Sequence, residues 1–151
     1  MEHQKVREFK NKKASYQYQL MDVFTAGIQL VGTEIKSIRN GKVNFNNAYC
    51  VVDKNSEVYI KGLHIAEYQY GNIANHEPQR TRKLLLQKKE INKIRKYVTE
   101  RGYTLIPISL FINERGLAKV EIALAQGKKL HDKRKDIKDK DMKRDMDRMK
   151  F

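Results

Sequence analysis

Short β-rich runs separated by strong turn signals constrain this chain more than any other feature. Tyr103–Ile112 and Ala118–Ala125 flank the turn Asn113-Glu114-Arg115-Gly116. Ala48–Val52 and Val58–Leu63 flank Asp53-Lys54-Asn55-Ser56, which predicts a hairpin. Tyr16, Tyr18 and Leu20 alternate with Gln17, Gln19 and Met21, the period-two signature of a strand starting near Ser15. Ala26-Gly27 then predicts a turn, and Ile28, Leu30 and Gly32 open a second strand running toward Ile38. Leu84–Leu86 reads as a further strand, and Pro107 predicts an edge or a bulge in its own run. The clearest helix is Gln87–Arg101: Ile91, Ile94 and Val98 fall on one face with Tyr97 beside them, Lys89, Lys93 and Lys96 face water, and Gly102 is placed to end it. About six or seven strands with one long helix predict a mainly β fold with helices, an OB-like antiparallel β-barrel over residues 15–126. An SH3-like barrel or an open α+β sheet would give much the same pattern.

The flanking segments differ in kind. Residues 1–14 carry Lys5, Arg7, Lys10, Lys12 and Lys13 and predict a mobile basic arm that orders on a partner. Residues 127–151 hold six apolar residues in 25, too few for a core. They contain no proline, pair Asp136 with Lys140 and Asp139 with Lys143 at i,i+4, and align Met142, Met146 and Met149 in a narrow stripe. Such ion pairs contribute only about 0.2–0.5 kcal/mol each. The segment is therefore expected to be a basic C-terminal tail, disordered alone and helical when bound. Residues 66–82 form a long loop of little aliphatic content, a length more often functional than incidental.

Charge narrows the function. Thirty-two basic against 18 acidic residues give +14, which favours a polyanion, nucleic acid before an anionic membrane surface. No apolar run is long enough to span a bilayer, and Met1–Lys5 lacks the build of a signal peptide. The single cysteine, Cys50, fits a reducing compartment, so a cytoplasmic location is expected. His3, His64, His76 and His131 show no metal-ligand spacing, and no phosphate-binding glycine loop or CxxC is present, so neither an enzyme nor a metal or other cofactor is expected. Glu34, Glu67, Glu77 and Glu90 read as isolated carboxylates. Arg80-Thr81-Arg82-Lys83 places three cations at the mouth of the strand that follows, where phosphate contact and a solvated loop end are equally good readings. Gly127–Lys135 packs five basic residues and His131 at the boundary with the tail, where RNA contact is favoured. There His131 could stack on an unpaired base and Asp132 could cap a helix.

Several ordered blocks together resemble one family. They are Asn11-Lys12-Lys13-Ala14, Ala26-Gly27-Ile28-Gln29-Leu30, Gly32-Thr33-Glu34-Ile35-Lys36-Ser37-Ile38-Arg39-Asn40-Gly41-Lys42, Arg80–Leu86, Gly127-Lys128-Lys129 and His131-Asp132-Lys133-Arg134. The chain is similar to the small protein B (SmpB) family, the SsrA-binding proteins of bacteria. The resemblance implies a non-enzymatic adaptor of trans-translation. Such a protein binds the tRNA-like domain of transfer-messenger RNA and delivers it to stalled ribosomes. Elongation factor Tu is a partner indirectly, through the aminoacylated RNA, and the tail enters the empty message channel near the decoding centre. The rival is a general ribosome-associated or ribosome-assembly RNA-binding protein. Asn11, Leu85 and Lys119 fall where the family contacts RNA, and the full expected RNA-binding set is Asn11, Lys12, Lys13, Lys36, Arg39, Arg80, Arg82, Lys83, Leu85 and Lys119. The expected decoding-region set is Lys128, Lys129, His131, Asp132, Lys133, Arg134, Lys138, Met142 and Met146. Thr25 stands where the family usually has glutamate, and Gln126 where a basic residue is common.

Overall fold

Two long strands, buried along most of their length, organise the molecule. The computed structural model describes residues 5–70 and 75–127, and the expectations for residues 128–151 lie outside them. In chain order the elements are β1 (Lys5–Lys10), α1 (Ala14–Gln17), β2 (Tyr18–Ile28), α2 (Gly32–Arg39), β3 (Val43–Asn44), β4 (Tyr49–Val52), β5 (Val58–Lys61), β6 (His64–Ile65), β7 (Arg82–Leu85), α3 (Lys88–Arg101), β8 (Thr104–Asn113) and β9 (Ala118–Gly127). β8 turns Leu110 and Ile112 inward, and β9 turns Val120, Ile122 and Leu124 inward, all at 5% exposure or less. Ala26 and Ile28 of β2, Val58 and Ile60 of β5, and Leu84 of β7 meet them, with Ile38 of α2 and Ile94 of α3 in the same core. Each fully buried aliphatic side chain contributes about 1.5–3 kcal/mol relative to exposure.

Seven antiparallel strands are hydrogen-bonded in the order β1-β8-β4-β5-β7-β2-β9, and β9 pairs back onto β8. β8 serves both ends of this order. Leu105 is in register with Cys50 of β4 and Leu124 of β9, and Phe111 with Glu8 of β1 and Lys119 of β9. β3 and β6 form a separate two-stranded ladder. The architecture is a mixed α/β arrangement of OB-like topology. None of the helices among the described residues is long and apolar enough to cross a membrane.

Local signals hold where local chemistry closes the turn. Asp53 accepts hydrogen bonds from the N–H groups of Asn55 (2.9 Å) and Glu57 (2.8 Å), so β4 and β5 form the expected hairpin. Asn113 Oδ1 does the same for the N–H groups of Arg115 (3.0 Å) and Leu117 (2.9 Å) between β8 and β9. The β8–β9 register shifts between Pro107 and Ser109, the irregularity expected at this proline.

Four expectations are corrected. Lys5–Lys10 is no mobile arm: it is β1, in register with β8 from Lys5↔Asn113 to Lys10↔Ser109, because β8 has a free edge there. Ser15 does not open a strand; Ala14–Gln17 make one helical turn and β2 starts at Tyr18. Ala26-Gly27 is not a turn but the end of β2, and the segment from Gly32 is the helix α2. There the Glu34 carboxylate accepts the Val31 N–H at 2.8 Å, closing the first turn, and the buried residues Glu34, Ser37 and Ile38 fall at i, i+3 and i+4, the period of a helix.

Cys50 is buried in the core, and burial pushes its thiol well above the ordinary range. A thiol reagent at neutral pH should therefore modify Cys50 only after denaturant is added. Rapid stoichiometric labelling of the native protein would contradict its burial.

Candidate nucleic-acid interface

Two cations of the Arg80–Lys83 run are used internally. Glu34 on α2 is fully buried, and its carboxylate receives Arg80 Nη2 at 2.7 Å, Arg80 Nε at 3.3 Å, the Val31 N–H, and the Nε–H of Arg82. Arg82 is itself fully buried and donates to the carbonyls of Leu63 (2.8 Å) and Pro78 (3.1 Å). Burial alone raises the Glu34 pKa, but Arg80, the Val31 N–H and Arg82 together outweigh it and hold the carboxyl below its usual range. Burial also lowers the pKa of Arg82, while the hydrogen-bonded Glu34 carboxylate opposes that shift. Glu34 is thus not an isolated carboxylate, and Arg82, with no exposed side chain, cannot reach a phosphate. Arg80 keeps about a third of its side-chain surface. Lys83 makes an exposed 3.3 Å pair with Glu57, an arrangement worth little in water and readily exchanged for a phosphate.

The same cluster secures the long loop. His76 is buried, with Nε2 at 2.8 Å from the Ile65 carbonyl and Nδ1 at 2.9 Å from the Thr33 hydroxyl. Only a protonated Nε2 satisfies that carbonyl, so the neutral ring accepts the Thr33 hydroxyl proton at Nδ1. Asn75 bonds both the N–H (3.0 Å) and the C=O (2.8 Å) of Tyr68 through its side-chain amide. Residues 75–82 are therefore fastened to α2 and β6.

Sheet register brings Leu85, Gly27 and Lys119 into one row. Gly27 of β2 is directly opposite Leu85 of β7 on one side and Lys119 of β9 on the other. Residues directly opposite in an antiparallel ladder share a face. Ala26 and Ile28 point into the core, so this row is on the outer face, and Leu85 is 48% exposed. A Cβ on Gly27 would lie 3.3 Å from that of Leu85, so glycine leaves room for the leucine beside it. Thr25 and Glu121 form the next pair along the same face. Gly27 was absent from the expected set; it carries no functional group, and only the register reveals its position between the two.

Asn11, Lys12 and Lys13 lie at the end of β1, beside the sheet. Asn11 donates from Nδ2 to the Pro107 carbonyl (2.9 Å) and from its N–H to the Ile108 carbonyl (2.8 Å), so it positions the two exposed lysines that follow. Two adjoining clefts, of about 300 and 460 Å³, share Asn11, Lys13, Phe45 and Asn46. On α2, Lys36 places its ammonium 5.4 Å from the Tyr68 ring centre, and Arg39 is exposed. Arg7 donates to the Arg39 carbonyl and stacks 5.2 Å above Phe9, joining α2 to β1.

These features define a small β-sheet protein of OB-like topology, with its cations on outer faces and at loop ends, suited to a folded polyanion. The family model described as SmpB protein matches residues 8–150, and the chain belongs to that family. It is 55% identical over 140 residues to the SsrA-binding protein of Bacteroides thetaiotaomicron, covering 93% of each chain. It is 52% identical over 138 residues to that of Oceanobacillus iheyensis, covering 91% of this chain and 88% of the relative. A chain in the solved structure described as "tmRNA-SmpB: a journey to the center of the bacterial ribosome" superposes with a TM-score of 0.69 at 42% identity, over 82% of this chain and 85% of that one.

Proposed function

We infer that this protein is an RNA-binding adaptor of trans-translation, without catalytic activity of its own, that binds the tRNA-like domain of transfer-messenger RNA and brings it to stalled ribosomes. The observation that carries the reading is the extent of the family match, which runs from residue 8 through the basic tail to residue 150. The ring of strand pairings that returns to β8 acts as the OB-like barrel. Its outer row of Lys119, Gly27 and Leu85 at one end of β2, Lys12 and Lys13 toward the other end, and Lys36, Arg39, Arg80 and Lys83 on α2 and on or just before β7 supply cations that displace counterions from the RNA. An exposed leucine beside Lys119 adds apolar contact that phosphate binding alone does not provide. Residues 127–151 are the tail. It enters the empty message channel, where Lys128, Lys129, His131, Asp132, Lys133, Arg134, Lys138, Met142 and Met146 meet the decoding region. Elongation factor Tu joins through the aminoacylated RNA. The site of action is the cytoplasm.

A competition assay at near-physiological salt tests this. The full chain and a 1–131 truncation should both prefer the tRNA-like domain over bulk tRNA and over a ribosomal RNA fragment. Equal binding of all three RNAs would leave a general ribosome-associated protein in its place.

A further inference from the structure

We propose that the smaller cleft beside Asn11 is a receptor for one unpaired nucleotide of the bound RNA. This rests on the RNA-binding reading above and adds a site to it. The cleft holds about 300 Å³ and lies between α1, the turn that precedes β4, and the start of β8. That volume is at the lower end of small-ligand sites. Its walls supply each element that a single nucleotide needs. Tyr49 offers an exposed ring, with the partly buried Tyr18 and Phe45 in the wall beside it, Gln17 and Asn46 offer carboxamides, and Lys13 offers an ammonium. Rings stack on any base, carboxamides both donate to and accept from a base edge, and an ammonium takes the phosphate. No carboxylate lines this cleft among the described residues, so nothing there repels an anion.

Both walls are fixed without ligand. On one side Asn11 is bonded to Pro107 and Ile108 of β8, and its carbonyl accepts the Ala14 N–H at 3.1 Å. On the other, Asn44 Oδ1 accepts the Asn46 N–H at 2.8 Å, and the Phe45 carbonyl accepts the Ala48 N–H at 2.9 Å. Preorganised walls lower the ordering cost of binding. Tyr49 is 47% exposed, so a ring remains open to the incoming base. The adjoining cleft carries Lys10, Lys12 and Lys13 against one carboxylate, Glu8, which lies 4.0 Å from the Lys10 ammonium, so it offers the neighbouring phosphates a net positive path. The charge of the chain argues against its own tail as the occupant: residues 127–151 carry 11 basic and six acidic residues and would meet a basic rim.

The test uses the full chain and the tRNA-like domain of transfer-messenger RNA. Tyr49→Ala should weaken binding roughly 5- to 150-fold, the range for losing one base–ring stack. Tyr49→Phe should remain within about twofold, because the ring is kept. Asn46→Ala, at an exposed position, provides a second variant whose folding is not in question. Each unpaired nucleotide of the RNA is then made abasic in turn. One abasic position should cost about as much as Tyr49→Ala, and the two changes together should cost no more than either alone. Wild-type affinity in both Tyr49→Ala and Asn46→Ala, or full additivity at every abasic position, overturns the site while leaving the adaptor reading intact. Loss of RNA preference by the wild-type protein would instead overturn the adaptor reading itself.

Discussion

Replacing Glu34 with alanine is expected to destabilise the protein by about 3–5 kcal/mol, the usual cost of removing one partner from a buried ion pair. The change would leave Arg82 charged, fully buried and without its counter-ion, while Arg80, about a third exposed, could turn toward water. It would also remove the acceptor that closes the first turn of α2. Equilibrium urea unfolding followed by circular dichroism gives the measurement, and a loss under about 1 kcal/mol would contradict a buried pair. Replacing Glu34 and Arg82 together with apolar residues should cost less than the sum of the single changes, because neither charge is then stranded. The pH dependence has a fixed sign. The Glu34 carboxyl titrates below its ordinary value of 4.5 in the folded state. Its contribution is therefore complete above that value and is lost as pH falls through the lower, folded pKa. The stability difference between the wild type and Glu34→Gln should be constant near neutrality and shrink in that acidic window.

Gly62→Ala is the second large effect. Gly62 has φ +74°, a region that costs a residue with a Cβ about 1–3 kcal/mol. A Cβ there would also lie 2.1 Å from the Asn47 carbonyl oxygen, so the turn before β4 would have to move. Gly102 provides the control: its φ is +68°, but nothing lies within 4 Å of its Cβ position. Thermal melts should show Gly62→Ala losing clearly more stability than Gly102→Ala. Asn46, Asn47 and Tyr49 line the cleft proposed to receive a nucleotide, so Gly62→Ala should weaken RNA binding as well, and Gly102→Ala should not. Equal melting losses would mean that the contact with Asn47 is relieved without displacing the turn.

The features legible in the sequence were those whose partners are close along the chain. The Asp53 and Asn113 turns are closed by N–H groups two and four residues away, so composition and spacing were sufficient to predict both hairpins. α3 ran as expected because one face carries Ile94 and the other carries lysines, with Gly102 in the left-handed conformation at its end. Two of the misreadings depended on distant partners. β1 looked like a solvated arm because its charged side chains are what an outer strand also carries; pairing with β8, about a hundred residues later, decided it. α2 looked like a strand because Ile28, Leu30 and Gly32 continue a period of two, and the contribution of Glu34 appears only once its two arginines are in place.

The sequence by itself determined that the chain is a basic, mainly β protein with two tight hairpins, one amphipathic helix and the ordered blocks of the SmpB family. Those are consequences of local hydrogen bonding, side-chain period and total charge. Only the tertiary structure decided which cations stay at the surface. Arg82 and Lys119 are both basic residues in strands, yet one is fully buried on a carboxylate 48 residues earlier in the chain and the other stands on the outer face beside Gly27. The difference is one of desolvation. A buried guanidinium must find a counter-charge, and where that counter-charge lies is set by the packing of α2 against β7, not by any spacing within the sequence.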